Sequence, residues 1–161
     1  MQRLYFGDIT VDRLVESEGR SFYAGYLFPD SDDQAVLEEK KWLCPNFFDL
    51  HSGRLIMSVH TYIVRTPRHV ILIDTCVGND KDRPSTPRWH QQKSFWFRDL
   101  EATGLSPTEV DFVLCTHLHV DHVGWNTKLF DGRWVPTFPN AKYIFHKIEY
   151  DHWAEFGGDL G

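Results

Sequence analysis

The sequence predicts an α/β domain, a sandwich of sheet and helices, on three observations. Val70–Ile73 and Phe112–Cys115 are short apolar runs with the length and composition of buried strands. Between them, Ser94–Thr103 has helical content, and Phe95, Trp96, Phe97, Leu100 and Ala102 give it a broad apolar face. After them, Lys142–Phe145 reads as a further strand and Lys147–Phe156 as a helix, with Gly157-Gly158 as its stop. An apolar content of 42% and an aromatic content of 15% supply a core and exclude a disordered chain. Layers of helix and sheet are the simplest way to bury these faces.

The remaining elements follow from local chemistry. Arg3–Phe6 and Ile9–Val15 read as strands around a Gly7-Asp8 turn, and their mixture of apolar and charged residues suggests an outer sheet position. Ser31–Trp42 has helical content, with Ser31 and Gln34 as a capping box and Pro45 as its end. Ser58–Arg65 and His69–Ile73 form an antiparallel pair across Thr66-Pro67-Arg68, and the continuous apolar run of the second strand makes it central. A polar loop follows Thr75 as far as His90 and contains Pro84 and Pro87. Gly104 stops the helix of Ser94–Thr103. Ser106-Pro107-Thr108-Glu109 is a second capping signature, expected to make one short turn before the strand at Phe112. Trp125–Pro139 is read as a loop with a turn at Asp131-Gly132.

The segment with the most chemistry is Cys115-Thr116-His117-Leu118-His119-Val120-Asp121-His122-Val123-Gly124. Three imidazoles and one carboxylate crowd into residues 117–122 at the end of an apolar run. Clustering such hydrated groups there costs desolvation unless something binds them. A divalent metal is the usual partner of imidazole and carboxylate together. His117 and His119, at i and i+2 in extended backbone, point to one side and can share a metal. Asp121 and His122 diverge where the chain turns into a helix, which suits a second metal beside the first. Gly124 permits a tight turn or close packing.

The pattern T-H-x-H-x-D-H-x-G after an apolar strand resembles the signature of the metallo-β-lactamase-fold hydrolases. Val70-Ile71-Leu72-Ile73-Asp74-Thr75-Cys76-Val77-Gly78 resembles that family's strand ending in Asp-Thr-Gly, with Cys76 where the first glycine usually stands. The resemblance covers roughly residues 55 to 155. It implies an αβ/βα sandwich of two similar halves, of which residues 1–161 would be the N-terminal portion. It places His117 and His119 on the first metal and Asp121 and His122 on the second, with Asp121 orienting the nucleophile or moving a proton. Asp74 would lie beneath the metals and support a ligand histidine. The family's further His and Asp ligands find no match after His122. His146 and His152 are read as surface or packed residues, and His60 likewise.

Two zinc ions are the expected cofactor, with manganese, cobalt or iron fitting the same ligands. Zinc lowers the pKa of water to about 7 and so makes hydroxide available at neutral pH. A metal-dependent hydrolase of a small ester or lactone is the expected function. The alternatives are a thioesterase or phosphodiesterase of the same fold and a non-catalytic metal-binding half-domain. His122-Val123-Gly124-Trp125-Asn126 and Trp134–Ala141 show a looser similarity to lactonases and organophosphate hydrolases, and Trp125 and Asn126 are candidates for the pocket mouth. The net charge of −6 without a basic cluster argues against nucleic acid as partner and for a small molecule. No apolar stretch reaches the length of a membrane span, and Met1–Asp8 does not read as a signal peptide. Cys44, Cys76 and Cys115 are odd in number and widely spaced, which suggests a reducing, cytoplasmic setting. Cys76 and Cys115 are read as small buried residues. A homo-oligomer is compatible with this reading.

Overall fold

The computed structural model describes residues 3–30 and 33–156. The expected cap at Ser31 and the stop at Gly157-Gly158 lie outside them. The chain forms two compact units, one of Met1–Glu16 with Val59–Gly161 and one of Ser17–Ser58. Strands β1 (Arg3–Phe6), β2 (Ile9–Tyr23), β3 (Phe48–Asp49), β4 (Arg54–Arg65), β5 (Val70–Ile73) and β6 (Phe112–Leu114) come in chain order. The hairpin strands β7 (Thr127–Phe130) and β8 (Arg133–Pro136) and then β9 (Lys142–Ile144) follow. Among the described residues the main sheet has the order β1-β2-β4-β5-β6-β9, with β3 beside β4. As expected, β1 is at the edge and β5 is central.

The pairing explains the core of the larger unit. β4 and β5 are antiparallel, whereas β5, β6 and β9 run parallel. Parallel neighbours need a crossover. The β5–β6 crossover carries helix α4 (Trp96–Ala102). Ile63 pairs with Leu72, Leu72 with Val113, and Val113 with Tyr143, so these side chains form one row across the sheet. Ile63, Leu72 and Val113 are fully buried and join Trp96 and Leu100 of α4 in a single cluster. The alternate row, Tyr62, Ile73, Leu114 and Ile144, is apolar too, and both of its ends are exposed.

Capping fixes the approach to β6. The Ser106 side chain accepts the Thr108 N–H, and Glu109 Oε2 accepts the Ser106 N–H at 2.7 Å. This is the reciprocal box that the sequence announces. β6 then delivers the short helix α5 (Val120–Val123), and β9 delivers α6 (Lys147–Phe156). In the smaller unit the chain makes the short helices α1 (Ala24–Leu27), α2 (Asp33–Glu38) and α3 (Lys40–Leu43). There Arg20 pairs with Asp49 at 2.6 Å, and the Arg54 guanidinium lies over the Tyr23 ring.

Several expectations are corrected. Residues 125–139 are not a plain loop. Asp131 and Gly132 both have positive φ, 47° and 74°, as a two-residue primed turn requires, and they close the β7–β8 hairpin. β2 continues to Tyr23 and β4 begins at Arg54, both beyond the expected limits. The helical segment before Trp42 is interrupted at Glu39. Among the described residues no helix is long and apolar enough to cross a membrane.

Candidate metal centre

The candidate ligands sit where the parallel strands end. Asp74 follows β5 directly, and Thr116 and His117 come two and three residues after β6. In open parallel sheets the carboxyl ends of the strands are where ligands bind. Asp74 N–H donates to Leu114 C=O at 2.9 Å, which ties the two strand ends together.

Asp74 organises the histidines. Its Oδ1 accepts the Thr116 N–H at 2.8 Å, and its Oδ2 accepts the Thr116 hydroxyl at 2.8 Å. Oδ2 also lies 2.8 Å from His122 Nδ1. A carboxylate only accepts, so His122 carries its proton on Nδ1 and presents a lone pair on Nε2. The Thr116 hydroxyl donates its hydrogen bond to Asp74 Oδ2, so its oxygen is left to accept from His117 Nδ1 at 3.1 Å. His117 therefore also presents a lone pair on Nε2.

These donor atoms meet in two pairs. His117 Nε2 lies 3.1 Å from His119 Nδ1. His122 Nε2 lies 3.6 Å from Asp121 Oδ2. The rings of His117 and His122 are 3.9 Å apart between centroids, so the pairs are neighbours. Among the described residues no group of three or more His, Cys, Asp or Glu side chains could hold a metal ion. Imidazole lone pairs oriented by a carboxylate are the donor type that divalent metal ions take. Each pair brings two donor atoms together.

The electrostatics of His117 and His122 differ in direction. Burial, with His122 and His119 nearby, holds the His117 pKa below its ordinary value. Burial acts against a charge on His122 too, but the Asp74 hydrogen bond and the Asp121 charge outweigh it and raise the pKa. Burial would raise the Asp74 pKa, yet the hydrogen bonds from His122 and Thr116 hold it below the carboxylate range.

The loops around the ligands are locked together. Thr75 N–H donates to His122 C=O at 2.7 Å, Gly124 N–H to Cys76 C=O at 2.7 Å, and Trp125 N–H to Thr75 C=O at 2.8 Å. A Cβ on Gly124 would sit 1.8 Å from the Val77 carbonyl oxygen, so only glycine allows this approach. Asp74 and Cys76 both have positive φ, 56° and 53°. Cys76 thus occupies, at a cost of roughly 1 kcal/mol, a left-handed position that glycine fills without strain.

Other singled-out residues are placed plainly. Cys76 and Cys115 are buried, and desolvation raises both thiol pKa values. Trp125 stacks on Trp96 at 5.3 Å inside the core, not at a pocket mouth. Asn126 accepts the Thr75 hydroxyl at 2.9 Å and donates to Cys115 Sγ. His146 Nδ1 accepts the Ile148 N–H at the start of α6. His152 and His60 pack edge-on against Trp153 and Tyr62.

Sequence reasoning missed three supports. Glu149 Oε2 accepts the N–H of Leu118, between the first two histidines, at 3.0 Å. Arg83, buried, donates to the Val77 and Val120 carbonyls. Glu16 accepts from Val77, Gly78, Ser94 and Trp125. A charged residue reaching a backbone group dozens of positions away has no local signature.

The model of the Metallo-beta-lactamase superfamily matches residues 56–159. The chain belongs to that superfamily. The N-acyl homoserine lactonase AttM of Azorhizobium caulinodans is 25% identical over 114 residues, 60% of this chain and 39% of AttM. The crystal structure of AbOPH, a hydrolase in the beta lactamase superfamily, is 28% identical with a TM-score of 0.69, over 94% of this chain and 46% of AbOPH. AidC, a dizinc quorum-quenching lactonase, superposes with a TM-score of 0.70 at 23% identity, over 94% of this chain and 46% of AidC. The likeness to AidC speaks for the fold. This superfamily member is therefore α/β with a metallo-β-lactamase fold, and it spans less than half the length of these relatives.

Proposed function

We propose that this chain carries the first ligands of a dinuclear zinc hydrolase that cleaves a small ester or lactone. The observation that carries the reading is the meeting of His117 Nε2 with His119 Nδ1 beside the pair His122 Nε2 and Asp121 Oδ2. His117 and His119 would hold one ion, Asp121 and His122 the other. Bound zinc supplies Lewis acidity and brings the pKa of water to about 7. Asp74 fixes the His122 ring through Nδ1, and Thr116 fixes His117. Asp121, half-buried at the start of α5, would orient the attacking water and pass its proton to the leaving group.

Similarity to AttM and AbOPH supports hydrolysis, and AttM supports the lactone. An apolar cavity of about 320 Å³, lined by Leu118, Val123, Pro136, Tyr143 and Phe145 among others, suits the apolar part of such a substrate. Leu118 and Val123 are chain neighbours of the metal histidines. A net charge of −6 supports a small molecule over nucleic acid. Three free thiols fit a cytoplasmic setting.

The test is a panel of lactone, thioester and phosphate esters, assayed on the zinc-loaded protein. Lactone turnover abolished by His119→Ala and by Asp121→Ala is expected. Turnover confined to thioesters or phosphate esters would replace the substrate. A second reading, metal binding without turnover, draws on the absence of any three-ligand group among the described residues. Bound zinc with no hydrolysis of any substrate would establish it.

A further inference from the structure

We propose that Glu16 is a positioning residue for the metal-binding side chains, acting through the Val77–Gly78 peptide and Trp125. This rests on the metal-hydrolase reading. Glu16 lies on β2, far in sequence from every candidate ligand. Its Oε2 accepts the Val77 N–H at 2.8 Å. Its Oε1 accepts the Gly78 N–H at 3.3 Å, the Ser94 hydroxyl at 2.9 Å and the Trp125 indole N–H at 2.7 Å. Three donors thus converge on Oε1 and one on Oε2, as many as the roughly four lone-pair directions of a carboxylate.

The donors come from both sides of one seam. Val77 and Gly78 belong to the loop after β5, which holds Asp74. Trp125 belongs to the segment after α5, which holds Asp121 and His122. The two are joined by the Thr75–His122, Cys76–Gly124 and Thr75–Trp125 backbone bonds. The Val77–Gly78 peptide is held at both ends: Glu16 Oε1 takes the Gly78 N–H, and Arg83 Nη1 donates to the Val77 carbonyl at 2.9 Å. Arg83 Nη2 reaches the Val120 carbonyl, directly before Asp121. The Val77 carbonyl is also the atom against which Gly124 packs. A shift of this peptide therefore moves Asp74 relative to His122, and the Nδ1 contact that aims His122 Nε2 moves with it.

Only a carboxylate meets this demand. An amide at position 16 would accept with one oxygen and turn an N–H₂ donor toward other donors. The charge also matters, since hydrogen bonds to an ionised acceptor are roughly twice as strong as neutral ones.

The experiment compares wild type, Glu16→Gln and Asp12→Asn. Asp12 is a buried carboxylate on the same strand, but its partners are Arg3 and Arg65, not the loops. Cobalt(II) affinity and absorption spectrum are read first, then the His122 imidazole N–H signal of the metal-free protein by NMR, with Tm recorded for each. Glu16→Gln is expected to weaken cobalt binding about tenfold or more and to alter both spectra. Asp12→Asn is expected to lower Tm and leave cobalt affinity and the His122 signal unchanged.

Trp125→Phe, which removes one donor and keeps a ring against Trp96, should change both readouts in the same direction by less. It carries the test if Glu16→Gln does not fold. Wild-type affinity and an unchanged His122 signal in Glu16→Gln would overturn the proposal. So would an equal loss in Asp12→Asn, which would mark a general effect of stability. If the wild type binds no cobalt, the metal reading fails by itself. The metal-free His122 signal then still decides whether Glu16 orders that ring.

Discussion

Asp74 is the residue on which the centre turns. It accepts from Thr116 twice and from His122, and through Thr116 it also sets the protonated nitrogen of His117. Asp74→Asn puts an amide where three donors converge, so the rings lose their fixed orientation. Zinc affinity should fall about 10–100-fold, measured by competition with a chromogenic chelator. An affinity equal to wild type would show that the histidines hold their aim without it. The sequence exposed Asp74 and the four candidate ligands because their types and spacing are local. Glu149, Arg83 and Glu16 stayed hidden because their partners are 31, 37 and up to 109 positions away. Gly124 was legible as a close-packing glycine, but what it packs against was not. Gly124→Ala should destabilise the protein by at least about 2 kcal/mol, because the methyl group would meet backbone and not a movable side chain. Urea unfolding checks this. A loss under about 0.5 kcal/mol, the scale of ordinary surface changes, would mean that the seam can open.

At the scale of elements, apolar runs and caps were reliable where a single period ruled. β5, β6, β9, α4 and the Ser106 box follow their sequence signals closely because each is decided within a few residues. The β7–β8 hairpin was read as loop because Thr127–Phe130 and Arg133–Pro136 are short and mixed, and only the Asp131-Gly132 turn marked them. That turn decides the hairpin, since both residues need positive φ. Gly132→Ala should cost roughly 1 kcal/mol and speed amide exchange along Thr127–Pro136. Unchanged protection there would mean that packing, not the turn, holds the hairpin.

Across the molecule, one buried carboxylate joins the outer sheet. Asp12 takes Arg3 in a two-pronged pair at 2.8 Å and Arg65 Nη1 at 2.5 Å, and Arg65 continues to Thr103 at the end of α4. The Arg3 hydrogen bonds hold the Asp12 pKa below the ordinary carboxylate value, against the effect of burial, and Arg65 adds to this. A carboxylate whose folded pKa is depressed contributes fully above its unfolded pKa of about 3.9. That contribution is lost as pH falls through the folded value. Wild-type stability in urea should therefore drop between pH 5 and more acidic solution. Asp12→Asn should lose about 1–3 kcal/mol at pH 7 and show a shallower acid dependence. Parallel pH profiles for the two proteins would contradict this.

The sequence by itself determined the α/β class, the central strands and the candidate metal ligands. Apolar period, capping and ligand spacing are short-range properties, and neighbouring residues write them. Only the tertiary structure decided which nitrogen each histidine presents, which loops are locked and what supports them. Those depend on Asp74, Thr116, Glu16, Arg83 and Gly124 meeting across large sequence separations. The chain must close its sheet before those contacts exist.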